Sequence, residues 1–300
     1  MARHRIAIMG AGAVGCYYGA LLAIAGEQVT LIGRAALRDA VRDRGLLLER
    51  RGRIELIRMD AATEPEAVAG ADMVLVCVKS PDTEAAAQAI APHLSPDATI
   101  LSLQNGVGNA ERLSAGIGRP VLPVVVYVAT QMAGPGHVAH FGRGELVLGT
   151  GPGAEAAASI LRRAGIPTEI SSQTETALWS KLVINCALNA LSAVSRQPYG
   201  RIIATPGAAD LMKGVVAECQ TVAQASGITL PADLWDQVER ICATMPGQFS
   251  STAQDMMRGR ATEIEFLNGE ILRRAHTLGI AAPINQALTV MVRLAEQRQA

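Results

Sequence analysis

The chain has 300 residues, 49% of them hydrophobic, with 27 basic and 27 acidic side chains. This length can bury a large core and favours two domains over one. The balanced charge excludes a global field for nucleic acid or an anionic membrane, and an aromatic content of 3% disfavours a base-stacking surface. We therefore expect a globular protein whose recognition of partners is local.

The cysteines predict a reducing compartment. The five cysteines are Cys16, Cys77, Cys186, Cys219 and Cys242. They are scattered and form no C-x-x-C pair, which favours free buried thiols over disulfides or a metal site. The first strand begins almost at the N-terminus, which leaves no room for a signal peptide. The longest apolar run, Val121 to Ala129, is too short to span a bilayer. We expect a cytoplasmic protein with no metal and no membrane partner.

A glycine-rich stretch follows the first predicted strand, which begins at Arg5. It is the G-x-G-x-x-G run Gly10-Ala11-Gly12-Ala13-Val14-Gly15, and a predicted helix from Cys16 to Ala25 comes next. Such a loop presents backbone N–H groups and a helix N-terminus to a pyrophosphate. A glycine-rich turn alone is a weak signal, but its place between a strand and a helix, with a second strand at Gln28 to Ile32, favours dinucleotide binding.

The first 172 residues alternate strands and helices, as in a doubly wound parallel sheet. We predict an inserted hairpin (Gly45 to Arg50, Arg53 to Arg58), strands at Asp72 to Val78, Ala98 to Leu103 and Val121 to Ala129, a second hairpin (His137 to Phe141, Glu145 to Leu148) and a short strand, Thr168 to Ile170. Helices are predicted at Asp82 to Ala91 and Ala154 to Ala164. We therefore expect an α/β fold with a Rossmann-type domain over residues 1–172.

From residue 173 onward the strand signals stop. The predicted helices are Trp179 to Val194, Gly207 to Ser226, Leu234 to Ala243, Thr252 to Leu278 and Asn285 to Gln297. This pattern predicts an all-helical domain over residues 173–300. Its apolar helices are compatible with a homodimer and equally with helices that close on themselves.

Three polar residues follow predicted strands, where open parallel sheets bind their ligands. Arg34 stands where an NAD enzyme would carry an acidic residue, and a guanidinium suits the 2′-phosphate of NADP(H). Lys79 and Asn105 are placed to approach cofactor or substrate. Each residue also has an ordinary alternative: Arg34 and Lys79 as solvated loop residues, and Asn105 as a turn residue.

The predicted helix from Trp179 carries a polar stripe, since Lys181, Asn185 and Asn189 recur every four residues. Its other positions are almost wholly apolar, which indicates a buried helix whose polar groups need partners. A partly desolvated lysine can lower its pKa and serve as the acid of a carbonyl reduction. The alternatives are a structural hydrogen-bond network and the solvent edge of the helix.

A third polar segment lies after residue 248. Ser251 has an ordinary explanation as a helix N-cap, with Gln254 three residues on. Glu263 is predicted to lie within the helix from Thr252 to Leu278, where an inward position and a solvated one are equally compatible with the spacing. Asn268 and Gly269 are unfavourable inside a helix, and close packing of another helix would explain them.

Together these stretches resemble the ketopantoate reductase family over essentially the whole chain. The resemblance is carried by the glycine run, Val78-Lys79-Ser80, Gln104-Asn105-Gly106, Lys181-Leu182-Val183-Ile184-Asn185-Cys186-Ala187-Leu188-Asn189, Ser250-Ser251 with Gln254-Asp255, and Thr262-Glu263-Ile264-Glu265. The lysine helix and the two later segments are more specific than the glycine run. The resemblance implies NADPH-dependent reduction of a 2-oxo acid, in pantothenate biosynthesis when the substrate is ketopantoate.

The same resemblance implies a role for each candidate residue. Lys181 is the proton donor to the ketone oxygen. Substrate-binding roles fall to Asn105, Asn185, Asn189 and Ser251. Cofactor-binding roles fall to the glycine run, Arg34, Lys79, Asn105 and Glu263, the last of which orients the closed site.

Two departures from the family pattern concern the substrate more than the reaction. The chain has Gln248 and Tyr199 where the family carries substrate-binding asparagines. The first hypothesis is therefore a ketopantoate reductase or a close 2-oxo acid reductase. The alternatives are a dehydrogenase of the same build acting on a 3-hydroxy acid, and a non-catalytic NADP(H)-binding sensor.

Overall fold

A computed structural model describes residues 3–297 of the chain. The chain divides into two compact units, one up to Glu175 and the other from Thr176. The first unit contains strands and helices, and the described part of the second contains helices.

The first unit is built on one mixed sheet. In chain order its elements are β1 (Arg5–Met9), α1 (Ala13–Ile24), β2 (Gln28–Ile32), α2 (Ala35–Arg44), β3 (Leu46–Arg50), β4 (Arg53–Ile57), β5 (Asp60–Ala62), β6 (Met73–Val76), α3 (Thr83–Ile90), β7 (Thr99–Ser102), α4 (Asn109–Ile117), β8 (Leu122–Gly134), β9 (His137–Gly149), α5 (Ala154–Arg163) and β10 (Thr168–Ser171). The strand order is β4-β3-β9-β8-β7-β6-β1-β2-β5, with β10 beside β9. Strands β2, β1, β6 and β7 pair in parallel, whereas β3 with β4 and β8 with β9 pair antiparallel.

Two hydrophobic cores lie on the two faces of the parallel strands. Ile6 and Ile8 of β1 belong to a core that includes residues of α1, α2 and α5. Ala7 belongs to a second core with residues of α3 and α4. Because side chains alternate between the faces of a strand, β1 is buried on both sides. Helices therefore cover both faces of the sheet, and the predicted Rossmann-type α/β fold is confirmed.

The second predicted hairpin is wrong. Strand β9 runs without a turn from His137 to Gly149 and pairs with β8, and the hairpin turn lies at Pro135 and Gly136. The glycines near residue 143 resemble a turn in sequence, but the structure uses this segment for shifts of register. Phe141 and Gly144 are the extra residues on β9, which makes two bulges in a continuous ladder.

The second unit consists of helices in its described residues. They are α6 (Thr174–Ser195), whose first two residues precede the division, α7 (Tyr199–Ile203), α8 (Ala208–Ala225), α9 (Leu234–Thr244), α10 (Ser251–Met257), α11 (Asn268–Leu278) and α12 (Pro283–Gln297). Residues Ile264–Phe266 form a 3₁₀ turn. Helix α7 is only five residues long and is absent from the sequence prediction.

The long helix predicted from Thr252 to Leu278 is also wrong, because the chain breaks after α10. Gly259 has a φ of +63°, a conformation that ends helices and that glycine adopts without strain. The amide of Arg260 donates to the Asp255 carbonyl oxygen at 2.9 Å, which closes the end of α10. The apolar spacing continued past this point, so periodicity alone did not show the break.

Helix α6 supplies much of the core of the second unit. Its buried side chains include Trp179, Leu182, Val183 and Leu188. Contrary to the sequence prediction, α6 is long and apolar enough to cross a membrane, but 61% of its most apolar window is buried inside the protein. This burial is what a core helix shows.

Candidate active site

The loop after β1 has packing that only glycine allows at two positions. Gly10 has a φ of +100°, and a Cβ there would lie 2.5 Å from the backbone nitrogen of Val78. A Cβ on Gly15 would lie 2.5 Å from the Gly10 carbonyl oxygen and 2.8 Å from the Ile8 side chain. A larger residue at either position would therefore displace the loop or separate α1 from β1.

Gly12 has a different role from its neighbours. Among the described residues, no heavy atom lies within 4 Å of the position its Cβ would take. Its backbone is extended, with a φ of −83°, and the residue is exposed. The space in front of Gly12 borders the first turn of α1. The first N–H groups of this helix have no acceptor inside the helix, and its first turn contains no acidic side chain. This arrangement fits the pyrophosphate of a dinucleotide.

Three further predicted residues lie at the same edge of the sheet as the glycine loop. Arg34 comes two residues after β2, and Lys79 and Asn105 come three residues after β6 and β7. These strands are parallel, so their carboxyl ends share one edge. Arg34 and Lys79 are exposed, whereas Asn105 is half-buried. The fold thus gathers four of the elements predicted for the nucleotide, the glycine loop, Arg34, Lys79 and Asn105, at one edge of the sheet of the first unit, whereas Glu263 belongs to the second unit.

A buried polar network, which no sequence pattern predicted, holds the loop of Asn105. The Asn105 carbonyl oxygen accepts from Ser80 Oγ at 3.2 Å and from Asn109 Nδ2 at 2.7 Å. Asn109 Nδ2 also donates to Ser80 Oγ at 3.2 Å. Both Ser80 and Asn109 are buried. These bonds join the loops after β6 and β7, so they fix the spacing of Lys79 and Asn105.

Arg112 of α4 completes this network. Its Nη2 donates to the Ser80 carbonyl oxygen at 3.1 Å, and its Nη1 donates to Asn109 Oδ1 at 2.8 Å. Its Nε and Nη2 also bind the two oxygens of Glu84, each at 2.5 Å. This pairing lowers the pKa of the Glu84 carboxyl, so the ion pair persists at neutral pH.

A cavity of about 900 Å³ opens at the other end of the parallel strands. Its lining includes Arg5 and Gln28, the first residues of β1 and β2, together with Arg42 and Asp60. Ligands of open parallel sheets bind beyond the carboxyl ends of the strands. The cavity is therefore not assigned to the nucleotide.

The second unit carries the predicted polar stripe on α6. Lys181 and Asn185 are half-buried, and Asn189 is 2% exposed. The three residues lie one turn apart, on a helix whose remaining positions are mostly buried apolar side chains. An amine and two amides on one stripe offer a proton donor and groups that hydrogen-bond a small polar molecule.

The structure corrects the expected helix cap at Ser251. The N-cap of α10 is Ser250, whose Oγ accepts from the Ala253 amide at 3.0 Å and donates to the Asn189 carbonyl oxygen at 3.3 Å. The Ser250 amide also donates to Ser192 Oγ at 3.2 Å. Ser251 is therefore not needed as a cap; the residue is exposed, and its Oγ lies 3.5 Å from Asn189 Nδ2. The structure thus brings Ser251 beside the stripe of α6.

Glu263 lies outside its predicted position, whereas Asn268 and Gly269 lie in a helix, as the first two residues of α11. Glu263 is half-buried in the turn before Ile264–Phe266, not within a helix. Asn268 is the first residue of α11, where it bonds α6 and α12. A Cβ on Gly269 would meet Glu265 and the Ile264 carbonyl at 3.0 and 3.2 Å, so the preceding turn and not another helix restricts this glycine.

The two departures from the family pattern are neighbours. The Tyr199 amide donates to the Gln248 carbonyl oxygen at 3.0 Å, so α7 is joined to the segment before α10. The Tyr199 ring is buried, and burial raises the pKa of its hydroxyl, with a smaller effect from Cys242 of α9. Gln248 is half-buried, and its Nε2 donates to the Phe249 carbonyl oxygen at 2.8 Å.

Family models match both parts of the chain. The model described as ketopantoate reductase PanE/ApbA matches residues 6–153, and the model of its C-terminal part matches residues 173–296. The chain belongs to the ketopantoate reductase family. This ketopantoate reductase family member is accordingly an oxidoreductase that acts on CH–OH groups with a nicotinamide dinucleotide.

Relatives extend the similarity over nearly the full length. The 2-dehydropantoate 2-reductase of Halobacterium salinarum is 33% identical over 303 residues, which covers 98% of this chain and 99% of that protein. A crystal structure of a PanE/ApbA family ketopantoate reductase from Ralstonia eutropha is 50% identical, with a TM-score of 0.95 and coverage of 98% and 99%.

A third neighbour has a different substrate. A ternary structure of D-mandelate dehydrogenase with NADH and anilino(oxo)acetate is 26% identical, with a TM-score of 0.92 and coverage of 98% of this chain and 99% of that one. One fold thus occurs with different 2-oxo and 2-hydroxy acids and with NADH. The fold alone fixes neither the acid nor the dinucleotide of this family member.

Proposed function

We propose that this family member reduces ketopantoate to pantoate with NADPH, in pantothenate biosynthesis. The observation that carries the proposal is the polar stripe of α6 with Ser251 beside it, where one amine is accompanied by hydrogen-bonding groups suited to a 2-oxo acid. The glycine loop, Arg34, Lys79 and Asn105 supply the complementary nucleotide site in the first unit. In this proposal residues 1–172 form the NADP(H)-binding domain, and residues 173–300 form the helical substrate and catalytic domain.

The chemistry assigns one task to each group. When bound, the reduced nicotinamide supplies a hydride to the carbonyl carbon. Lys181 donates a proton to the ketone oxygen as negative charge develops there. The substrate is held by Asn105, Asn185, Asn189 and Ser251. Asn105 also contacts the cofactor, and Glu263 orients the closed site.

The activity itself is tested by NADPH oxidation with purified protein. Ketopantoate should be the best substrate in a panel of branched and aromatic 2-oxo acids. A preference for an aromatic acid would favour a second candidate, reduction of another 2-oxo acid. That candidate is supported by Gln248 and Tyr199 and by the similarity to D-mandelate dehydrogenase. No oxidation with any acid of the panel would reject both.

Arg34 should determine the preference for NADPH. Replacing Arg34 with alanine removes a guanidinium that suits the 2′-phosphate, so the Kd for NADPH should rise roughly 10–100-fold while the Kd for NADH changes little. Fluorescence titration of both dinucleotides measures this. Arg44→Ala, at the other end of α2, is the matched control and should change neither. An equal loss for both dinucleotides would contradict the assignment.

The two adjacent serines should separate stability from substrate binding. Ser250→Ala removes the cap of α10 and should lower the free energy of unfolding by about 1 kcal/mol. Ser251→Ala should leave unfolding unchanged and raise the KM for the 2-oxo acid several-fold. Denaturant unfolding and steady-state kinetics measure the two effects. The same unfolding loss for both variants, with no change in KM for Ser251→Ala, would contradict the assignment.

We further propose that the protein is cytoplasmic and self-associates as a homodimer. The first proposal is supported by five free thiols, four of them buried. The second is supported by an exposed apolar face on α12, formed by Ala287, Val290, Met291 and Leu294 at helical spacing. In sedimentation experiments Leu294→Glu should shift the protein toward monomer, whereas Gln286→Glu, at an exposed position of α12 outside this face, should not.

A further inference from the structure

A series of hydrogen bonds, buried at its two asparagines, joins four helices of the second unit. On α8, the Glu218 carboxylate accepts from the amides of Ile284 and Asn285 at 2.8 and 2.9 Å, and from Asn285 Nδ2 at 2.8 Å. Asn285 Oδ1 accepts from Asn268 Nδ2 of α11 at 3.0 Å. The same Nδ2 donates to the Cys186 carbonyl oxygen of α6 at 3.1 Å. Both asparagines are 0% exposed.

The carboxylate determines which way both amides point. An ionised carboxylate only accepts, so Asn285 turns its Nδ2 toward Glu218 and its Oδ1 toward Asn268. Asn268 must then present its Nδ2, whose second hydrogen is directed to Cys186. Reversing either amide would place two acceptors against each other. This series of hydrogen bonds therefore has a single arrangement, and it ends on the backbone of α6.

The carbonyl at this end lies within the polar stripe. Cys186 directly follows Asn185 and precedes Asn189 by three residues. Inside an α-helix this carbonyl also accepts from the amide four residues on, so the bond from Asn268 is an additional one. Because a helix moves as a stiff body, holding one carbonyl fixes both the rotation and the axial position of the neighbouring side chains.

The composition of the network favours a role in positioning over one in stability. Asn268 Oδ1 is buried and has no hydrogen-bond partner among residues 3–297, which costs stability. A leucine of similar size would remove this orphaned oxygen, and it would leave Asn285 Oδ1 with the Cys219 thiol, 3.8 Å away, as its remaining side-chain donor among these residues. Fully oriented buried amides instead select one arrangement of the helices they join.

We propose that Asn268 is a positioning residue that holds α6 where Lys181, Asn185 and Asn189 act on the substrate. Its effect on turnover rests on the proposed function. The anchoring of α6 does not, because it can be measured on the folded protein without substrate.

The test compares Asn268→Leu with Thr289→Val. Thr289 is a matched control: it is fully buried on α12, and its hydroxyl donates to the Asn285 carbonyl oxygen within that helix at 2.8 Å. Asn268→Leu should raise hydrogen exchange of the α6 amides at residues 186–192 about tenfold and lower kcat about tenfold. The Kd for NADPH should not change. Thr289→Val should change Tm by about as much as Asn268→Leu does, but it should change the exchange of α6, kcat and the Kd for NADPH less than about twofold.

A milder variant covers the case in which Asn268→Leu does not fold. Glu218→Gln keeps the size of the side chain and removes the acceptor-only group that orients both amides. It should raise exchange in α6 by about threefold. The proposal would be overturned if Asn268→Leu showed the same exchange in α6 as Thr289→Val, or if it raised this exchange and left kcat unchanged. If the wild-type protein reduces no 2-oxo acid, the proposed function fails, and the exchange data alone decide whether Asn268 anchors α6.

Discussion

Lys181→Met should lower kcat with a 2-oxo acid by about 10²–10⁴-fold, the range that a positioned general acid supplies. Methionine keeps most of the aliphatic stem, so the packing of α6 should remain while the proton donor is lost. The Kd for NADPH should be unchanged, because the glycine loop and Arg34 belong to the other compact unit. Steady-state kinetics and fluorescence titration separate the two effects.

The chain offers a matched control for this variant. Besides Lys181 it contains only Lys79 and Lys213. The Lys213 ammonium lies 5.1 Å from the centre of the Trp235 ring, and Lys213→Met should change kcat less than about twofold. Full turnover in Lys181→Met would reject the lysine as the acid. Equal losses in both lysine variants would point to general damage to the helical unit.

The glycine loop should respond in opposite ways at two of its positions. Gly12→Val should leave the free energy of unfolding nearly unchanged, because its side chain would enter open space. The same side chain would occupy the place of the pyrophosphate and should raise the Kd for NADPH more than about 100-fold. Gly10→Ala should instead lower the free energy of unfolding by about 1–3 kcal/mol, because its Cβ would clash with the backbone of Val78 at a positive φ.

Denaturant unfolding and nucleotide titration of both variants test this pair. Tight NADPH binding by Gly12→Val would show that the nucleotide does not approach the loop at this position. Unchanged stability of Gly10→Ala would contradict the close approach to β6. The two outcomes are independent, since one concerns the space outside the loop and the other its packing against the sheet.

The sequence was sufficient for the parallel core of the first unit. The strand from Gln28 to Ile32 has the predicted bounds, because its apolar residues and flanking turns are all local signals. The segment around Gly142 was misread because glycines mark bulges as well as turns. Which of the two occurs depends on pairing with β8, and a sequence pattern does not show that pairing.

The candidate site was predictable by residue type and less so by supporting contacts. Lys181, Asn185 and Asn189 were identified from their spacing, which a helix converts directly into a stripe. The bond from Asn109 to Ser80 joins residues 29 apart, and nothing in the local sequence marks it. The cap was misplaced by one residue because two serines stand side by side and only the bond to Ala253 distinguishes them.

The placement of the stripe on α6 has a consequence for how such a protein can diversify. The proposed acid is fixed to a helix whose apolar sides fill the core, so mutation there threatens folding as well as turnover. Gln248 and Ser251 lie instead where α10 begins, in and beside the connection from α9. Replacements in that connection can change which acid is accepted while the proton-donating amine stays in place. Within such a lineage, the reaction type should therefore persist longer than any one substrate.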